Sequence, residues 1–347
     1  MSGYTATPLG LVGAAIFVAA ASICFVLLLL LRPLLQRYAL AHPVARSSHK
    51  LPTPQGAGIG VVAATIGTAA VACILLDAAS NPLWLVFGAA AFIAIVGAVD
   101  DVSPIPVLPR LVLQALGVGI VIAALPADLR VLPSLPHWLE QLLLGLALLW
   151  FVNLVNFMDG IDWMTAAEVV PVTAGLVAIG GIGGLSTSEV VVALALCGAL
   201  VGFAPLNRPV ARLFLGDVGS LAIGLLVGWL LVGLAGRGYI AAALLLPLYY
   251  LADTTITIFR RMARGETIWQ AHRTHFYQRA IERGSTVMSV VRRVFVANIL
   301  LAALATVSVL WNGLFVQFVA LVCGAALVGW LLYSLSSRGP QPDHRSA

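Results

Sequence analysis

Long apolar runs recur along the entire chain, and most charged residues lie in the short segments between them. A membrane-spanning helix needs about 20 predominantly apolar residues, and most of the runs approach that length. They cover residues 9–31, 56–76, 83–99, 111–126, 138–155, 168–184, 188–204, 218–236, 239–258, 289–310 and 313–333. This pattern predicts an all-α, polytopic integral membrane protein with about eleven transmembrane helices.

The composition agrees with this class. Of 347 residues, 61% are hydrophobic and 10% are charged, and the mean hydropathy is +1.03. A soluble domain of this length would carry far more charge on its surface. The net charge of +5 does not indicate a nucleic-acid partner, because the basic residues lie at the ends of the runs and form no basic face with interleaved aromatic residues. We expect one transmembrane domain over residues 1–337 and a short disordered cytoplasmic tail over 338–347.

The four cysteines lie in four different apolar runs, without the spacing of a metal site. We therefore expect Cys24, Cys73, Cys197 and Cys323 to be small buried hydrophobic residues that form no disulfide. The first apolar run is too long, and too poor in preceding basic residues, for a cleaved signal peptide, so we interpret it as the first span.

The basic residues predict the orientation. If the N-terminus lies outside, 17 of the 19 Lys and Arg residues fall on the inner side, and only Arg130 and Arg237 fall on the outer side. Because cytoplasmic loops carry the excess of basic residues, the N-terminus should be periplasmic and the C-terminus cytoplasmic in a bacterial inner membrane. An odd number of spans keeps the basic cluster of residues 260–293 on one side.

Acidic residues are concentrated on the same side. Ten of the 14 acids and five of the six histidines fall in cytoplasmic segments or at the cytoplasmic ends of spans. Acids do not follow the positive-inside rule, so their distribution needs another cause. We interpret it as an active site on the cytoplasmic face.

Asp100 and Asp101 end the third predicted span. Two adjacent carboxylates at a helix C-terminus repel each other and face the negative end of the helix dipole. Either solvent stabilises this helix end, or a divalent cation or basic ligand compensates the two charges.

Two further predicted helix ends carry polar motifs. The fifth span runs into Asn156, Asp159, Gly160 and Asp162, which resemble a helix-end turn, although turn formation does not require so many acids. The eighth span begins near Asp217, between two glycines. Asp217 is either a helix N-cap or a metal ligand at a helix N-terminus that binds phosphate.

The ninth span and the loop after it carry further ionisable residues. Asp253 lies at membrane depth, either as a functional residue or paired with Arg260 or Arg261. In the loop, His272 and His275 share one face if the segment is helical. With Arg273 between them they form either a cationic anchor for phosphate or an interfacial stretch that contacts anionic lipids.

The first cytoplasmic loop, residues 42–58, is rich in proline and glycine, which favours a shaped loop over a helix. Its basic residues Arg46 and Lys50 either reach a phosphate or only enforce the topology. Carboxylates, histidines and basic residues thus converge on one face without a soluble domain. This combination favours metal-assisted chemistry on an anionic soluble substrate beside the bilayer, with a lipid as the second substrate.

The sequence resembles the polyprenyl-phosphate N-acetylhexosamine-1-phosphate transferases, a glycosyltransferase family 4-like group, from about residue 40 to 290. Five motifs occur in the family's order: RSSHKLPTPQGAG, DD, NLVNFMDGID, RLFLGDVGS and AHRTHFYQRA. The resemblance implies that a UDP-N-acetylhexosamine donates its sugar-1-phosphate to undecaprenyl phosphate, with release of UMP and with Mg²⁺ as cofactor. It leaves a homodimer open.

The resemblance also implies roles for individual residues. Asp217 would ligate the metal, and Asp100 and Asp101 would help to hold it or orient the lipid phosphate. The presumed nucleotide pocket comprises Asn156, Asp159, Gly160, Asp162, Asn207 and Phe214. The presumed phosphate contacts are Lys50, Arg110, His272, Arg273 and His275.

Some positions depart from the family's pattern. His42, Gln55 and Ala57 stand where the family often has Asp, Arg and Gly. Trp163 and Met164 replace the usual Gly-Leu beside the presumed nucleotide pocket, a change that bears on the choice of sugar. The segment from His272 to His275 lacks the triple histidine of the phospho-MurNAc-pentapeptide translocases. This favours the branch that initiates O-antigen, capsule or other surface polysaccharides.

Two other classes of protein remain alternatives. A secondary transporter predicts internal symmetry and ionisable residues near the midplane of broken helices, whereas these acids lie at cytoplasmic ends and no repeat is evident. A membrane scaffold that keeps the fold but has lost activity is consistent with the departures from the family's pattern.

Overall fold

The computed structural model describes residues 8–41, 52–267 and 273–337. This part of the chain forms thirteen helices and one two-stranded antiparallel sheet. Its elements are α1 (Pro8–Tyr38), β1 (Leu40–Ala41), β2 (Thr53–Pro54), α2 (Gly58–Leu75), α3 (Asn81–Val102), α4 (Val107–Ala123), α5 (His137–Met158), α6 (Met164–Gly181), α7 (Thr187–Phe203), α8 (Asp217–Gly236), α9 (Ile240–Leu245), α10 (Leu248–Ala263), α11 (Phe276–Glu282), α12 (Val287–Leu310) and α13 (Leu314–Ser336).

The helices confirm the predicted all-α, polytopic membrane fold. Within the described residues, eight helices are long and apolar enough to cross a membrane, and α4 and α7 are shorter apolar helices. Each predicted run lies on one of these helices, except the ninth, which is divided between α9 and α10. The break falls at Leu246 and Pro247. Proline removes a backbone donor and clashes with the preceding turn, which accounts for the interruption.

Helix α8 lies at the centre of the bundle and is the most buried of the spans. It packs mainly against α3 and α5, while α1 packs against α7 and α6 against α12. Gly97 lets α3 approach the first turn of α8 so closely that a Cβ atom at this position would overlap the backbone of Asp217. Small residues at helix contacts are typical of packing in membranes, where apolar burial does not drive helix association.

The β1–β2 hairpin joins the first loop to the start of α8. β1 pairs with β2, and Gln55 forms a parallel bridge with Phe214. The backbone N–H groups of Gly56 and Ala57 both donate to the carbonyl of Phe214, at 3.2 and 2.9 Å. The segment after residue 51 is therefore a shaped loop, as predicted, and residues 42–51 lie outside the described part.

The bundle has two ends that carry polar residues. At one end, called the site end below, α3, α5 and α7 finish and α4, α6 and α8 begin. At the opposite end α5 and α7 begin and α8 finishes. The predicted acidic motifs of the third, fifth and eighth spans all belong to the site end.

The cysteines are free, and Cys24, Cys73 and Cys197 are buried as expected. The expectation for Cys323 was wrong, because its side chain is exposed on α13. Helix α13 is a peripheral helix with few buried residues, and an apolar residue on its outer face can contact lipid instead of the protein core.

Candidate active site

The carboxylate of Asp101 caps the N-terminus of α8. Its two oxygens accept the backbone N–H groups of Asp217 at 2.8 Å and Val218 at 3.1 Å, and it also accepts a hydrogen bond from the side chain of Gln55. The first N–H groups of a helix have no partner within the helix, and a carboxylate there also faces the positive end of the helix dipole. Asp101 thus joins the end of α3 to the start of α8.

Gly216 is the N-cap of α8 and has a φ of 78°. This left-handed conformation favours glycine, and a Cβ atom at Gly216 would overlap the Asp101 carboxylate. Asp217 is the first helical residue. The alternative that Asp217 is the N-cap of this helix is therefore wrong. The capping is supplied from another helix, 116 positions earlier in the sequence.

The side chain of Asp217 is available for other contacts. One oxygen accepts a hydrogen bond from Asn156 Nδ2 at 2.8 Å, and the same amide donates to Ser220 Oγ at 2.9 Å. The other oxygen lies 3.8 Å from the Arg110 guanidinium, and the side chain is 28% exposed. Asp217 is therefore oriented by its neighbours, and part of its surface stays open to a ligand.

Among the described residues, Arg110 is the cation within the acidic cluster. Its guanidinium donates to Asp100 Oδ2 at 2.8 Å, and the other oxygen of Asp100 accepts the backbone N–H of Ile105 at 2.5 Å. Arg110 thereby lies between Asp100 and Asp217. The sequence predicted Asp100 and Arg110 as site residues but gave no indication that they pair with each other.

Asp159 follows the last residue of α5 and is part-buried. Its pKa is raised to about 8, first by burial and then by the nearby carboxylates of Asp217, Asp101 and Asp162, while a hydrogen bond from Thr165 at 2.5 Å opposes the rise. Burial is the larger cause of this rise, and the neighbouring negative charge adds to it. A bound cation would compensate that charge.

The donor set fits a hard divalent cation that also binds substrate. Within the described residues, no group of three or more His, Cys, Asp or Glu side chains is arranged as a ready-made metal cage. Mg²⁺ typically takes one or two protein carboxylates and completes its shell with water and substrate phosphate oxygens. Asp217, with an open face beside Asp100 and Asp159, meets that requirement, whereas both oxygens of Asp101 already accept backbone N–H groups.

The residues predicted for a nucleotide pocket tie two loops together. Buried Asp162 accepts the backbone N–H of Ala211 at 3.0 Å. Asn207 accepts the backbone N–H of Trp163 at 2.7 Å and donates to the Leu213 carbonyl at 2.9 Å. The turn after α5 is thus fixed to the loop that leads through Phe214 into α8.

His275 is buried rather than presented on a helical face. It is the N-cap of α11, which begins at Phe276. Arg273 and Thr274, which precede it, are not helical. The prediction that depended on a helix through this segment therefore does not hold there. Its Nδ1 atom lies 3.1 Å from Asp253 Oδ1. Asp253, a candidate either for function or for an arginine pair, is thus paired with His275.

The remaining predicted residues lie at the edge of this arrangement. Arg273 lies 3.8 Å from Glu282. Lys50 and His272 lie outside the described residues. The structure brings together Asp100, Asp101, Arg110, Asn156, Asp159 and Asp217, from four helix ends that are far apart in the sequence.

Sequence reasoning missed Gln55, Thr165, Ser220 and Tyr277 as partners of the site. Ser220 was within a motif and lies one turn after Asp217, so helical spacing could have indicated it. Thr165 lies only six positions after its partner Asp159, whereas Gln55 and Tyr277 contact Asp101 and Phe157 across 46 and 120 positions. No local pattern reports such contacts.

Comparison with known proteins adds an independent line of support. A family model described as Glycosyl transferase family 4 matches residues 83–235. This range runs from the first turn of α3 to the last turn of α8 and contains all the acids of the site. The match therefore covers the helices that carry the cluster.

Three curated relatives extend the comparison. The chain is 27% identical to the decaprenyl-phosphate N-acetylglucosaminephosphotransferase of Mycobacterium tuberculosis, over 79% of this chain and 76% of the relative. It is 24% identical to the probable undecaprenyl-phosphate N-acetylglucosaminyl 1-phosphate transferase of Bacillus subtilis, over 85% and 86%. It is 35% identical to the phospho-N-acetylmuramoyl-pentapeptide-transferase of Enterococcus faecalis over a shorter region, 33% of this chain and 34% of the relative.

Proposed function

We propose that this chain is a polyprenyl-phosphate sugar-1-phosphate transferase, the family that its motifs resemble and that the comparisons support, and on that basis we propose its reaction. The enzyme transfers N-acetylhexosamine-1-phosphate from a UDP-sugar to undecaprenyl phosphate and releases UMP. The product initiates a lipid-linked surface glycan of the O-antigen or capsule type. The observation that carries the proposal is the open carboxylate of Asp217 at the N-terminus of the central helix, among three other acids and one arginine.

The chemistry matches this charge distribution. An oxygen of the lipid phosphate attacks the phosphorus that bears the sugar. A new P–O bond forms, and the bond from that phosphorus to the oxygen bridging it to UMP breaks, so that UMP carries away the bridging oxygen. The attacking phosphate is already anionic at neutral pH and needs no strong base. Its main obstacle is repulsion between two anionic groups, which requires positioning and neutralisation of charge.

Mg²⁺, when bound, would supply part of that neutralisation, and Asp217 with Asp100 or Asp159 would hold it. Asn156 keeps the Asp217 carboxylate in place through the hydrogen bond at 2.8 Å. Arg110 lies between Asp100 and Asp217, and we propose that it contacts a phosphate oxygen. Asp101 contributes by fixing the start of α8.

The turn and loop beside the acids are proposed to hold the nucleotide. Gly160 and Asp162 lie in the turn after α5, and Asn207 and Phe214 lie in the loop before α8. Lys50, His272 and Arg273 are proposed as phosphate contacts. We propose that His275, which is buried against Asp253, acts by positioning instead.

We further propose that the site end faces the cytoplasm of a bacterial inner membrane, because the UDP-sugar is a cytoplasmic metabolite and 17 of 19 basic residues belong to that side. Membrane lipids would surround the bundle, and a homodimer is compatible with this arrangement. A cysteine at position 237 should react with an impermeant reagent from the periplasm, and one at 273 only after permeabilisation. The reverse pattern would contradict the orientation.

The proposed reaction is tested with purified protein, undecaprenyl phosphate, Mg²⁺ and a panel of UDP-N-acetylhexosamines. Mass spectrometry of the lipid should show addition of one sugar-1-phosphate from at least one donor. The donor that reacts identifies the amino sugar. No lipid product with any donor, from protein that is monodisperse and folded, would contradict the proposal.

A further inference from the structure

Tyr277 on α11 contacts the end of α5, directly before the acidic turn. Its side chain is fully buried, and its hydroxyl donates to the carbonyl oxygen of Phe157 at 3.3 Å. That carbonyl belongs to the last turn of α5, where carbonyl groups lack partners within the helix. The next residues in the chain after this turn are Asp159 and Gly160.

Gly160 leaves the space that the Tyr277 hydroxyl occupies. A Cβ atom at position 160 would overlap this hydroxyl oxygen. The next nearest atoms, Gln278 Nε2 and the Tyr277 ring carbon that bears the hydroxyl, would lie 3.2 Å away, which is tight but tolerable. Gly160 is not among the residues with positive φ, so its backbone conformation is open to alanine. The requirement for glycine is one of space, imposed by a single oxygen atom.

His275 and Asp253 fix the position of Tyr277. The His275 ring stacks on the Tyr277 ring with centroids 5.8 Å apart and an interplanar angle of 22°. Asp253 fixes this segment, since its Oδ1 atom lies 3.1 Å both from His275 Nδ1 and from the backbone nitrogen of Phe276. Its other oxygen accepts a hydrogen bond from the Tyr249 hydroxyl at 3.2 Å. Asp253, His275 and Tyr277 are all almost completely buried.

We propose that Asp253, His275 and Tyr277 form a positioning unit, called the α11 brace, that sets the placement of the Asp159–Gly160 turn. The Tyr277 hydroxyl is its point of contact with α5. The inference rests on the proposed function, because it assigns the Asp159 turn to the transferase site. The described contacts of the three residues lead to the turn and not to the carboxylates of Asp100, Asp101 or Asp217, so the brace acts through the turn and not on the reacting atoms.

The brace explains two features that the reaction alone does not. A buried aspartate in α10 would otherwise be expensive at membrane depth, and here it orders the start of α11. A glycine at position 160 would otherwise only loosen the turn. Misplacement of a site by about 1 Å can lower a rate by about 10²-fold, so the contact between Tyr277 and the turn is a determinant of activity.

The test is a suppressor experiment with Gly160→Ala, Tyr277→Phe and the double variant. Gly160→Ala adds a methyl group that collides with the hydroxyl, so kcat should fall at least about tenfold, the lower range of losses from displaced groups. Tyr277→Phe removes the hydroxyl and should cause a smaller loss. The double variant should be more active than Gly160→Ala, because the methyl group then occupies the space left by the oxygen.

Tyr250→Phe is the matched control. Tyr250 is also fully buried, and it is not among the nearest neighbours of Gly160. Combined with Gly160→Ala, it should give no rescue. A merely structural contact predicts that second substitutions only add further loss, so the gain in activity is specific to the brace.

Two outcomes overturn the inference: a Gly160→Ala enzyme with wild-type kcat, or a double variant no more active than Gly160→Ala. Absence of product from the wild-type protein would instead overturn the proposed function. The brace would then be tested by thermal unfolding in detergent. The double variant should unfold at a higher temperature than Gly160→Ala, and an equal or lower temperature would overturn the brace as well.

Discussion

Acidic residues at the two ends of the bundle differ in their ion-pair and hydrogen-bond partners. At the opposite end each buried glutamate has its own arginine. Glu189 closes a capping box with Ser186 at the start of α7 and pairs with Arg237 at 2.7 Å. Glu140 pairs with Arg130 and also accepts the backbone N–H groups of residues 131 and 132, at 2.6 and 2.8 Å. These carboxylates have a full set of partners.

At the site end the acids outnumber their partners. Asp100, Asp101, Asp159 and Asp217 lie close together, and in the described part of the chain Arg110 is the cation that pairs with members of this group, Asp100 and Asp217. The pKa of Asp159 is raised to about 8 by burial and by the neighbouring carboxylates. The carboxylates of the opposite end thus form closed pairs with arginines, whereas at the site end the acids exceed the described cations that pair with them. Ionisable residues at the ends of spans therefore have different roles according to their partners, not their depth.

The largest expected effect tests the site end directly. Asp217→Asn keeps the shape and the contact with Asn156 but removes the charge. Loss of a group that stabilises charge in the transition state lowers kcat by about 10²–10³, so we expect at least about a 10²-fold loss, partly restored at high Mg²⁺. Since Asp101 caps α8, the helix should remain intact. Initial rates and unfolding temperatures in detergent measure both effects, and full activity at ordinary Mg²⁺ would contradict the role of Asp217.

The corresponding change at the opposite end should reverse this pattern. Glu189→Gln removes the charge that Arg237 faces and should destabilise the protein by about 1–3 kcal/mol, less than the loss for a fully buried pair because Arg237 is one-third exposed. The kcat of the folded fraction should stay at the wild-type value. Thermal unfolding combined with active-site titration separates the two quantities. A loss of kcat as large as that of Asp217→Asn would remove the distinction between the ends.

The pH dependence of the free energy of unfolding should report the raised pKa of Asp159 at the site end. The native pKa of Asp159, about 8, lies above the value of about 3.9 in an unfolded chain. The native state therefore holds a proton that the unfolded state releases between these values, and stability falls as the pH rises from about 4 to 8. Without divalent cations, this residue contributes at most about 1.4 kcal/mol per pH unit. Asp159→Asn should flatten the slope, and an unchanged slope in unfolding experiments would contradict the raised pKa.

The smallest effect concerns the backbone beside the site. Trp163 is the N-cap of α6 and has a φ of 64°, a left-handed conformation that is strained for residues with a Cβ atom. Both Trp163→Gly and Trp163→Ala lose the indole and its hydrogen bond to the Ala204 carbonyl. Glycine should nevertheless be more stable than alanine by about 1 kcal/mol. Equal unfolding temperatures for the two variants would show that the position carries no strain.

The spans were predictable because apolar length determines which segments cross a bilayer. The division of the ninth run was not, since a proline within an apolar run is compatible with either a kink or a break. The acids of the site were recognisable as residues at helix ends. Their partners were not, because the cap from Asp101 to α8 and the contact of Tyr277 with Phe157 depend on how distant helices pack.

The burial of charged residues was the least predictable feature. The residues of the His272–His275 segment were expected to face a phosphate, yet His275 is 2% exposed and lies against Asp253. The sequence gives no indication that His275 and Asp253 pair, because only the fold brings them together. The same holds for Asp162, which is compatible with a turn or a pocket in the sequence and lies buried against the loop before α8.

The identity of the released nucleotide tests the central claim most directly. Wild-type protein is incubated with undecaprenyl phosphate, Mg²⁺ and the reactive UDP-sugar, and nucleotides and lipid products are quantified together. Transfer of a sugar-1-phosphate breaks the diphosphate, so UMP should appear in equal amount to the lipid-linked product. Release of UDP would mean that only the sugar is transferred, and it would contradict the reaction assigned to the acids of the site end.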